Sequence, residues 1–198
     1  MPAVKAHTAD LATRLVDEAG RLLSDEGAGA LSLRRLATAT GTSTMAVYTL
    51  FGDKQGLLAA MYREGFERLG AVMSAAVDGV AEPVAALGEL GLAYRRAALA
   101  NPHLYDLMFG RPVAAFEPDA PTKDVAEATF RPLVDGVQRC MDAGAMAPGD
   151  PERVASYLWA VTHGMVSLEL AGQTQGDAAA RDAAYVDALI FSSLPFLA

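Results

Sequence analysis

The stretch from Ser32 to Gly52 constrains the fold most, because it carries a start signal and a stop signal for each of two short helices. Ser32 precedes one segment that ends at Gly41, and Ser43 precedes a second that ends at Gly52. Serine is a preferred N-cap residue, and glycine commonly terminates helices. The sequence therefore predicts two short helices joined by a turn of about three to four residues around Gly41.

The second of these helices has two faces of different chemistry. Val47, Leu50 and Phe51 recur at the spacing that places side chains on one side of a helix, which predicts a buried face. The opposite face carries Thr44, Met45, Tyr48 and Thr49. Two helices joined by a tight turn form a helix-turn-helix, whose second helix can enter the major groove of DNA. The pattern therefore predicts a DNA-recognition helix.

Each outward side chain suits a different DNA contact. The hydroxyls of Thr44 and Thr49 can bond base edges or phosphates, and Met45 can pack on a thymine methyl group. Tyr48 can reach a phosphate with its hydroxyl while its ring lies against the DNA backbone. Taken singly, a short amphipathic helix is more often only packing, and a lone tyrosine is more often a half-buried aromatic.

Two cations flank the pair of helices. Arg34 and Lys54 are natural phosphate ligands, although a lone surface arginine is more often only solvated. Lys54 falls in the first turn of the next helix, so backbone amides there can share the anion. The predicted DNA-binding residues are Arg34, Ser43, Thr44, Met45, Tyr48, Thr49 and Lys54.

The charge distribution permits this function although the whole chain has a formal charge of −8. Residues 1–63 carry seven Lys/Arg and six Asp/Glu, whereas residues 64–198 carry nine and eighteen. DNA responds to charges within about one Debye length, ~8 Å at physiological salt, so a local basic face suffices.

Composition and helical spacing predict an all-α fold. Hydrophobic residues make up 52% of the 198 residues, and alanine is abundant.

The single cysteine excludes a disulfide framework within one chain. We find neither a signal-peptide core nor a stretch able to span a bilayer, so we expect a soluble, cytoplasmic protein without a membrane partner.

We expect nine or ten helices and no strand. The predicted helical ranges are 9–26, 33–40, 44–51, 54–80, 83–100, 103–110, 123–143, 151–172 and 178–192. Thr8 or Asp10 could cap the first, and Pro132 should kink the seventh or mark a late start. Residues 110–122, which include Pro112, are predicted to form a loop.

The segment 154–171 is apolar on nearly every face and should be buried on every side. A second copy of the chain could cover it, with a stripe of small residues permitting close approach; the alternative is a central helix in a monomer. The predicted dimer-interface residues are Val137, Met141, Ser156, Ala160, Gly164, Ser167 and Ala171.

Aromatic and methionine side chains in the C-terminal part predict a pocket for an apolar or aromatic small molecule. The candidate ligand-binding residues are Phe66, Tyr94, Tyr105, Met108, Phe109, Phe130, Trp159 and His163. Each could instead be ordinary core, and His163 could be a satisfied core histidine. The three histidines are scattered, so we expect no metal site and no cofactor. Cys140 has no catalytic partner that the sequence indicates.

Residues 14–61 resemble the DNA-binding domain of the tetracycline-repressor (TetR) family of bacterial transcription regulators. The matching residues are Ala19, Leu22, Leu23, Gly27, Ser32, Leu36, Ala37, Gly41, Ser43, Val47, Tyr48, Phe51, Lys54, Leu57 and Leu58. The resemblance implies that Thr44, Met45, Tyr48 and Thr49 face DNA and that Arg34, Tyr48 and Lys54 hold phosphates. Thr42, Met45 and Leu50 depart from the usual family residues. The departure at Met45 leaves the operator sequence open, and the one at Thr42 concerns the packing of the turn.

A second resemblance concerns the C-terminal part. Trp159, His163 and Gly164 resemble the Trp-x-x-x-His-Gly signature of one C-terminal domain class in the same family, as does segment 93–110. This resemblance implies a dimerising, ligand-sensing domain. We therefore expect a DNA-binding domain at residues 1–55 and a sensing and dimerisation domain at 56–198.

The resulting hypothesis is a homodimeric, ligand-responsive repressor released from a near-palindromic double-stranded operator by a small molecule. The helix after Asp53 would couple the two domains, and ~1–3 kcal/mol of coupling would suffice. One alternative is a helical small-molecule-binding module without DNA function. The other is an enzyme that uses the pocket, although neither paired carboxylates nor an activated nucleophile supports it.

Overall fold

The computed structural model describes residues 2–110, 113 and 116–198, and the side chains among them from Asp10 onward. Over these residues the fold is all-α without a strand, which confirms the predicted fold class. The helices are α1 (Pro2–Glu26), α2 (Leu33–Ala39), α3 (Thr44–Phe51), α4 (Lys54–Val77), α5 (Pro83–Ala100), α6 (Pro102–Tyr105), α7 (Ala120–Asp142), α8 (Pro151–Leu170) and α9 (Ala178–Ser193). A π-helical turn, Asp106–Gly110, follows α6, and a 3₁₀ turn, Leu194–Phe196, follows α9.

The predicted start and stop signals operate around α2 and α3. Ser32 Oγ accepts a hydrogen bond from the Arg35 amide at 3.3 Å, and Ser43 Oγ accepts one from the Ala46 amide at 3.1 Å. Gly52 ends α3 with a φ of +75°, a left-handed conformation that glycine adopts without steric cost. These local bonds fix the lengths of both helices.

Several predicted boundaries were wrong. Helix α1 begins at Pro2, so neither Thr8 nor Asp10 caps its start. Helix α4 ends at Val77 rather than at residue 80. Helix α7 begins at Ala120, inside the predicted loop, because the Asp119 carboxylate accepts the Thr122 amide at 3.1 Å. Pro112 lies outside the described residues.

The chain divides into two compact units. The first comprises Met1–Glu67 and Asn101–Ala126, and the second comprises Arg68–Ala100 and Glu127–Ala198. The predicted functional division near residue 55 stays a prediction, since compactness does not test which part binds DNA.

Each unit has its own apolar core. In the first unit the α1, α2 and α4 side chains Leu15, Leu36 and Leu57 are fully buried, together with Val47 of α3. In the second unit, α7 and α8 contribute the buried side chains Val134, Val137, Cys140, Val154, Ala155 and Leu158. Helices α1, α2 and α3 thus rest on one continuous core that orients α3.

Among the residues that the structure describes, none of the helices is sufficiently long and apolar to cross a membrane.

Candidate functional site

Helix α3 has the two faces that its sequence predicts. Val47 is fully buried, and Leu50 and Phe51 pack, partly buried, against the core of the first unit. Tyr48, by contrast, is 51% exposed and Met45 is 73% exposed. The helix is therefore anchored on one side and presents apolar and aromatic side chains to solvent on the other.

The small polar side chains of α3 are placed less uniformly. Ser43 and Thr49 are exposed, whereas Thr44 is half-buried. The Thr49 hydroxyl donates to the Met45 carbonyl oxygen at 2.9 Å, so its proton is engaged within the helix. Thr49 therefore offers a methyl group and oxygen lone pairs outward.

The cations of α2 differ in their surroundings. Both arginines are exposed, and Arg35 forms an ion pair with Glu26 of α1. Both line a shallow depression with Ser32 and Thr38. An exposed guanidinium beside the N-terminus of α2 suits an anionic ligand.

Lys54 is more constrained than the sequence indicates. It is half-buried, and its ammonium donates to the Ala28 carbonyl oxygen at 2.8 Å, which ties the start of α4 to the loop between α1 and α2. An ammonium has three donors, so two remain for a phosphate. Lys54 can therefore support both the local structure and an anion contact.

Sequence reasoning missed a glycine next to this lysine. A Cβ at Gly56 would overlap with the Phe51 carbonyl oxygen, so only glycine fits this close approach of α4 to the end of α3. Asp53 caps the same turn by accepting the Gly56 amide at 2.8 Å. The glycine in the first turn of an otherwise helical segment was the available signal.

Four of the eight predicted ligand-binding residues lie in the first unit. The ring of Phe109 lies 5.5 Å from that of Phe66 and 4.9 Å from that of Tyr105, measured between centroids. Met108 packs into the notch that Gly65 leaves on α4, where a Cβ would overlap with its sulfur. Phe66, Tyr105 and Met108 are buried and Phe109 is half-buried. They form one aromatic cluster.

The other four lie in the second unit. The Tyr94 hydroxyl and His163 Nδ1 are 3.0 Å apart, and the ring centroids of His163 and Trp159 are 5.3 Å apart. Phe130 meets Trp159 edge-on at 6.2 Å. Burial lowers the pKa of His163, because desolvation disfavours the charged imidazolium. The group combines apolar rings with a hydrogen-bonding centre.

Helix α8 is buried on one face only. Val154, Leu158 and Val166 lie in the interior of the second unit, whereas Tyr157 is 47% exposed and Leu168 is 50% exposed. Among the predicted interface residues, Ser156, Ala160 and Ala171 are exposed and Met141, Gly164 and Ser167 are half-buried.

Val137 departs from the predicted interface. Its side chain has no exposed surface, because it packs in the core of the second unit with Cys140 and Leu158. A fully buried side chain has no surface with which to contact a partner chain. Val137 is therefore removed from the predicted dimer interface, and the other six positions stay predictions.

An ionic cluster between α5, α8 and α9 also escaped sequence reasoning. Arg95 donates two hydrogen bonds to the Glu169 carboxylate, each of 2.7 Å, and one to Asp182, also of 2.7 Å. Its guanidinium carbon lies 5.1 Å from the centre of the Tyr185 ring. These bonds raise the pKa of Arg95, and the Arg95 guanidinium lowers the pKa of Glu169. The cluster fixes the packing of three helices.

The first unit thus has the arrangement of a helix-turn-helix DNA-binding protein: two capped short helices on a shared core, with an exposed face on the second. A family model described as "Bacterial regulatory proteins, tetR family" matches residues 15–61. A second, described as "Tetracyclin repressor-like, C-terminal domain", matches residues 87–191, which is more than half of the chain. The chain belongs to the tetracycline-repressor family of transcription regulators.

Similar proteins are consistent with this assignment. The chain is 26% identical over 195 residues to "HTH-type transcriptional regulator Rv1816" from Mycobacterium tuberculosis, covering 83% of this chain and 82% of that protein. A solved protein of unknown function from Rhodococcus sp. RHA1 is 30% identical with a TM-score of 0.82, covering 95% of this chain and 96% of that one. The regulator PfmR from Thermus thermophilus, 22% identical, shares the fold with a TM-score of 0.72 over 92% and 97% of the two chains.

These matches confirm the recognition of the family and the predicted function as a DNA-binding transcription regulator. The matched family models and relatives are transcription regulators, which at the level of the family supports the prediction that the protein is not an enzyme.

Proposed function

We propose that this protein is a cytoplasmic repressor that binds a near-palindromic operator as a homodimer and leaves it when a small apolar or aromatic molecule binds. The observation that carries the DNA-binding part is the exposed face of α3, where Met45 and Tyr48 face solvent while Val47 anchors the helix in the core. This arrangement suits insertion into a major groove. The proposed DNA contacts are those of Arg34, Ser43, Thr44, Met45, Tyr48, Thr49 and Lys54.

The proposal of a homodimer is supported by the exposed apolar side chains of α8 and α9 in the second unit. Leu168 on α8 and Ile190 and Phe191 on α9 are 50%, 51% and 64% exposed. A Cβ at Gly164 would meet nothing within 4 Å, so another backbone could approach closely there. Apolar surface of this kind is typical of an obligate interface between copies of a chain. A two-fold dimer would place two α3 helices roughly 34–36 Å apart, one DNA turn.

The proposal of an effector is supported by the second-unit group of Tyr94, Phe130, Trp159 and His163. Its rings provide apolar contact. The hydroxyls of Tyr94 and Ser167, which lie 3.0 Å from Nδ1 and 3.4 Å from Nε2 of His163, add a polar centre at which a ligand could exchange hydrogen bonds. The sequence pattern of Trp159, His163 and Gly164 is our support for proposing that the chain is of the Trp-x-x-x-His-Gly class. The aromatic cluster around Phe109 in the first unit is a second candidate position for the same ligand.

The proposed coupling runs through covalent continuity. Helix α4 contributes Lys54–Glu67 to the first unit and Arg68–Val77 to the second. A ligand that binds one position of this helix better than another would change operator affinity, and ~1–3 kcal/mol of differential binding corresponds to about 5- to 150-fold.

The decisive experiment is a fluorescence-anisotropy titration of the full-length protein on DNA. The duplexes are the promoter region of the protein's own gene and sites enriched from a random library, with a shuffled duplex as the competitor. Specific binding at micromolar protein or below supports the proposal. If binding to the enriched and shuffled duplexes is equal, the module without DNA function becomes the better account.

Lys54 and Tyr48 provide the first mutational prediction. Lys54→Ala should weaken operator binding and reduce the slope of log K against log salt by about one unit per half-site, because one phosphate contact is lost. Tyr48→Ala should weaken binding with a smaller change of slope, since its hydroxyl is neutral. Arg96→Ala on α5, which is exposed and outside the recognition helices, is the matched control. An unchanged slope for Lys54→Ala would argue against its phosphate contact.

Trp159 allows a direct test of the effector site, because it is the single tryptophan of the chain. Binding of an aromatic compound beside it should change its intrinsic fluorescence and release operator DNA over the same concentration range. If the imidazole bonds the ligand, His163→Ala should raise the compound concentration at which the fluorescence change is half-complete by about 10-fold. A compound that releases DNA without altering Trp159 emission would contradict binding beside Trp159 and favour the cluster around Phe109 as the effector site.

A further inference from the structure

Helix α3 has a recognition face of unusual chemistry. Residues 43–51 contain no arginine, lysine, asparagine, glutamine, aspartate or glutamate. The side chains that read a base by paired or charged hydrogen bonds are arginine or lysine for guanine, asparagine or glutamine for adenine, and the carboxylates for cytosine. None of these is available on α3, so its direct readout depends on apolar contact and on single hydroxyl groups.

Met45 dominates the apolar part of this face. Its side chain is 73% exposed, more than the 64% of Phe191, and α3 is otherwise anchored by Val47 on the opposite side. A methionine exposed to this extent contributes little apolar burial to the fold of the single chain. Its thioether is flexible and polarisable and can adapt to an apolar surface.

The neighbouring threonine reinforces this apolar character. Because the Thr49 hydroxyl donates to the Met45 carbonyl oxygen at 2.9 Å, the side chain of Thr49 has no spare proton for a base acceptor. Met45 and Thr49 lie four residues apart and therefore on the same side of α3. The pair presents a thioether chain and a methyl group together.

We propose that Met45 determines operator specificity by packing against the 5-methyl group of a thymine in each half-site. Thymine alone among the DNA bases carries a methyl group on the major-groove edge. This inference rests on the proposed DNA binding and adds to it the identity of the base that α3 selects. The alternative, in which Met45 lies against the sugar–phosphate backbone, predicts no dependence on that methyl group.

The test replaces single thymines by deoxyuridine, which keeps the pairing edge and removes only the methyl group. A duplex is first enriched from a random library by the wild-type protein, and each thymine of a half-site is then replaced in turn. One replacement should lower the affinity about 4-fold, because one buried methyl group is lost from the contact. The symmetric pair of replacements, one in each half-site, should lower it about 15-fold. All other thymines should respond more weakly.

Variants of Met45 assign the effect to its side chain. Met45→Ala should bind the thymine duplex more weakly, by a factor similar to that of the symmetric pair of replacements. It should show no further loss of affinity on the duplex in which both thymines are replaced by deoxyuridine. Met45→Leu, the matched control, should keep the sensitivity because it remains apolar. Met45→Gln should change the enriched base at this position toward adenine. Unchanged far-ultraviolet circular dichroism is expected for all three, since the side chain is outside the core.

Different outcomes overturn different statements. Failure to enrich any duplex would overturn the proposed DNA binding and with it this inference. An enriched duplex that tolerates deoxyuridine at every thymine would overturn only the role of Met45. A deoxyuridine effect that persists undiminished in Met45→Ala would assign the methyl contact to another side chain and equally reject the proposal.

Discussion

Replacing Leu168 by aspartate is expected to convert the protein from a dimer to a monomer and to lower operator affinity about 100-fold or more, because the two DNA-binding parts lose their linkage. Leu168 is 50% exposed on α8, and α9 of the same unit exposes Ile190 and Phe191. In a two-fold interface one substitution introduces two carboxylates, and burying each without a partner is costly. The monomer retains its fold because Leu168 is outside the core of the second unit.

The measurement is the solution mass at micromolar concentration, by light scattering or sedimentation, together with an operator titration of the same preparation. Val84→Asp is the matched control: Val84 is 42% exposed in the first turn of α5, where a carboxylate is well tolerated. It should leave both mass and affinity unchanged. A dimeric Leu168→Asp protein, or a monomeric wild type, would contradict the proposed interface.

The parts of the fold that the sequence predicts well are those determined by neighbouring residues. Ser32 and Ser43 cap their helices because each hydroxyl accepts a hydrogen bond from the amide three residues later. Both partners of such a bond lie close together in the chain, so the cap can be predicted from the sequence. The buried side of α3 follows in the same way from the spacing of Val47, Leu50 and Phe51. The exposure of Met45, Tyr48 and Thr49 on the opposite side could be predicted in the same way, whereas Thr44 is half-buried.

The remaining features depend on how distant segments pack. Arg95 and Glu169 are 74 positions apart, and their bidentate bond depends on where α5 meets α8. Helical spacing likewise shows that Val137 belongs to an apolar face, but not whether its own chain or a partner covers it. Periodicity identifies the buried face of a helix without identifying its neighbour.

The same limit applies to the prediction of the ligand pocket. Aromatic side chains from several helices were expected to form one pocket, because apolar character alone does not indicate which of them meet. The structure divides them between the Phe109 cluster and the Trp159 group. The composition of the chain predicts that aromatic side chains will cluster, but only tertiary packing determines which of them contact one another.

Arg95→Met should destabilise the protein by about 2 kcal/mol, because Glu169 then keeps a largely buried carboxylate without its bidentate partner. The melting temperature should fall by about 4–8 °C. The double variant Arg95→Met/Glu169→Gln should be less destabilised than Arg95→Met alone, since no uncompensated charge remains. Arg96→Met is the control: its ion pair with Glu89 spans 4.0 Å and its side chain is 57% exposed, so its loss should cost little.

The pH dependence of the difference between wild type and Arg95→Met provides a sharper test of the same cluster. The Arg95 guanidinium lowers the pKa of Glu169 in the folded protein below its ordinary value of 4.5. The folded state therefore binds this proton less tightly than the unfolded state, and the stability from the pair is complete above about pH 4.5. It is lost as the pH falls through the depressed folded pKa of Glu169. We therefore expect the two unfolding free energies to differ by a constant amount near neutrality and to converge in acid. A difference that is unchanged down to about pH 2–3, well below the unfolded pKa, would mean that Arg95 acts through packing on Tyr185 and not through its charge.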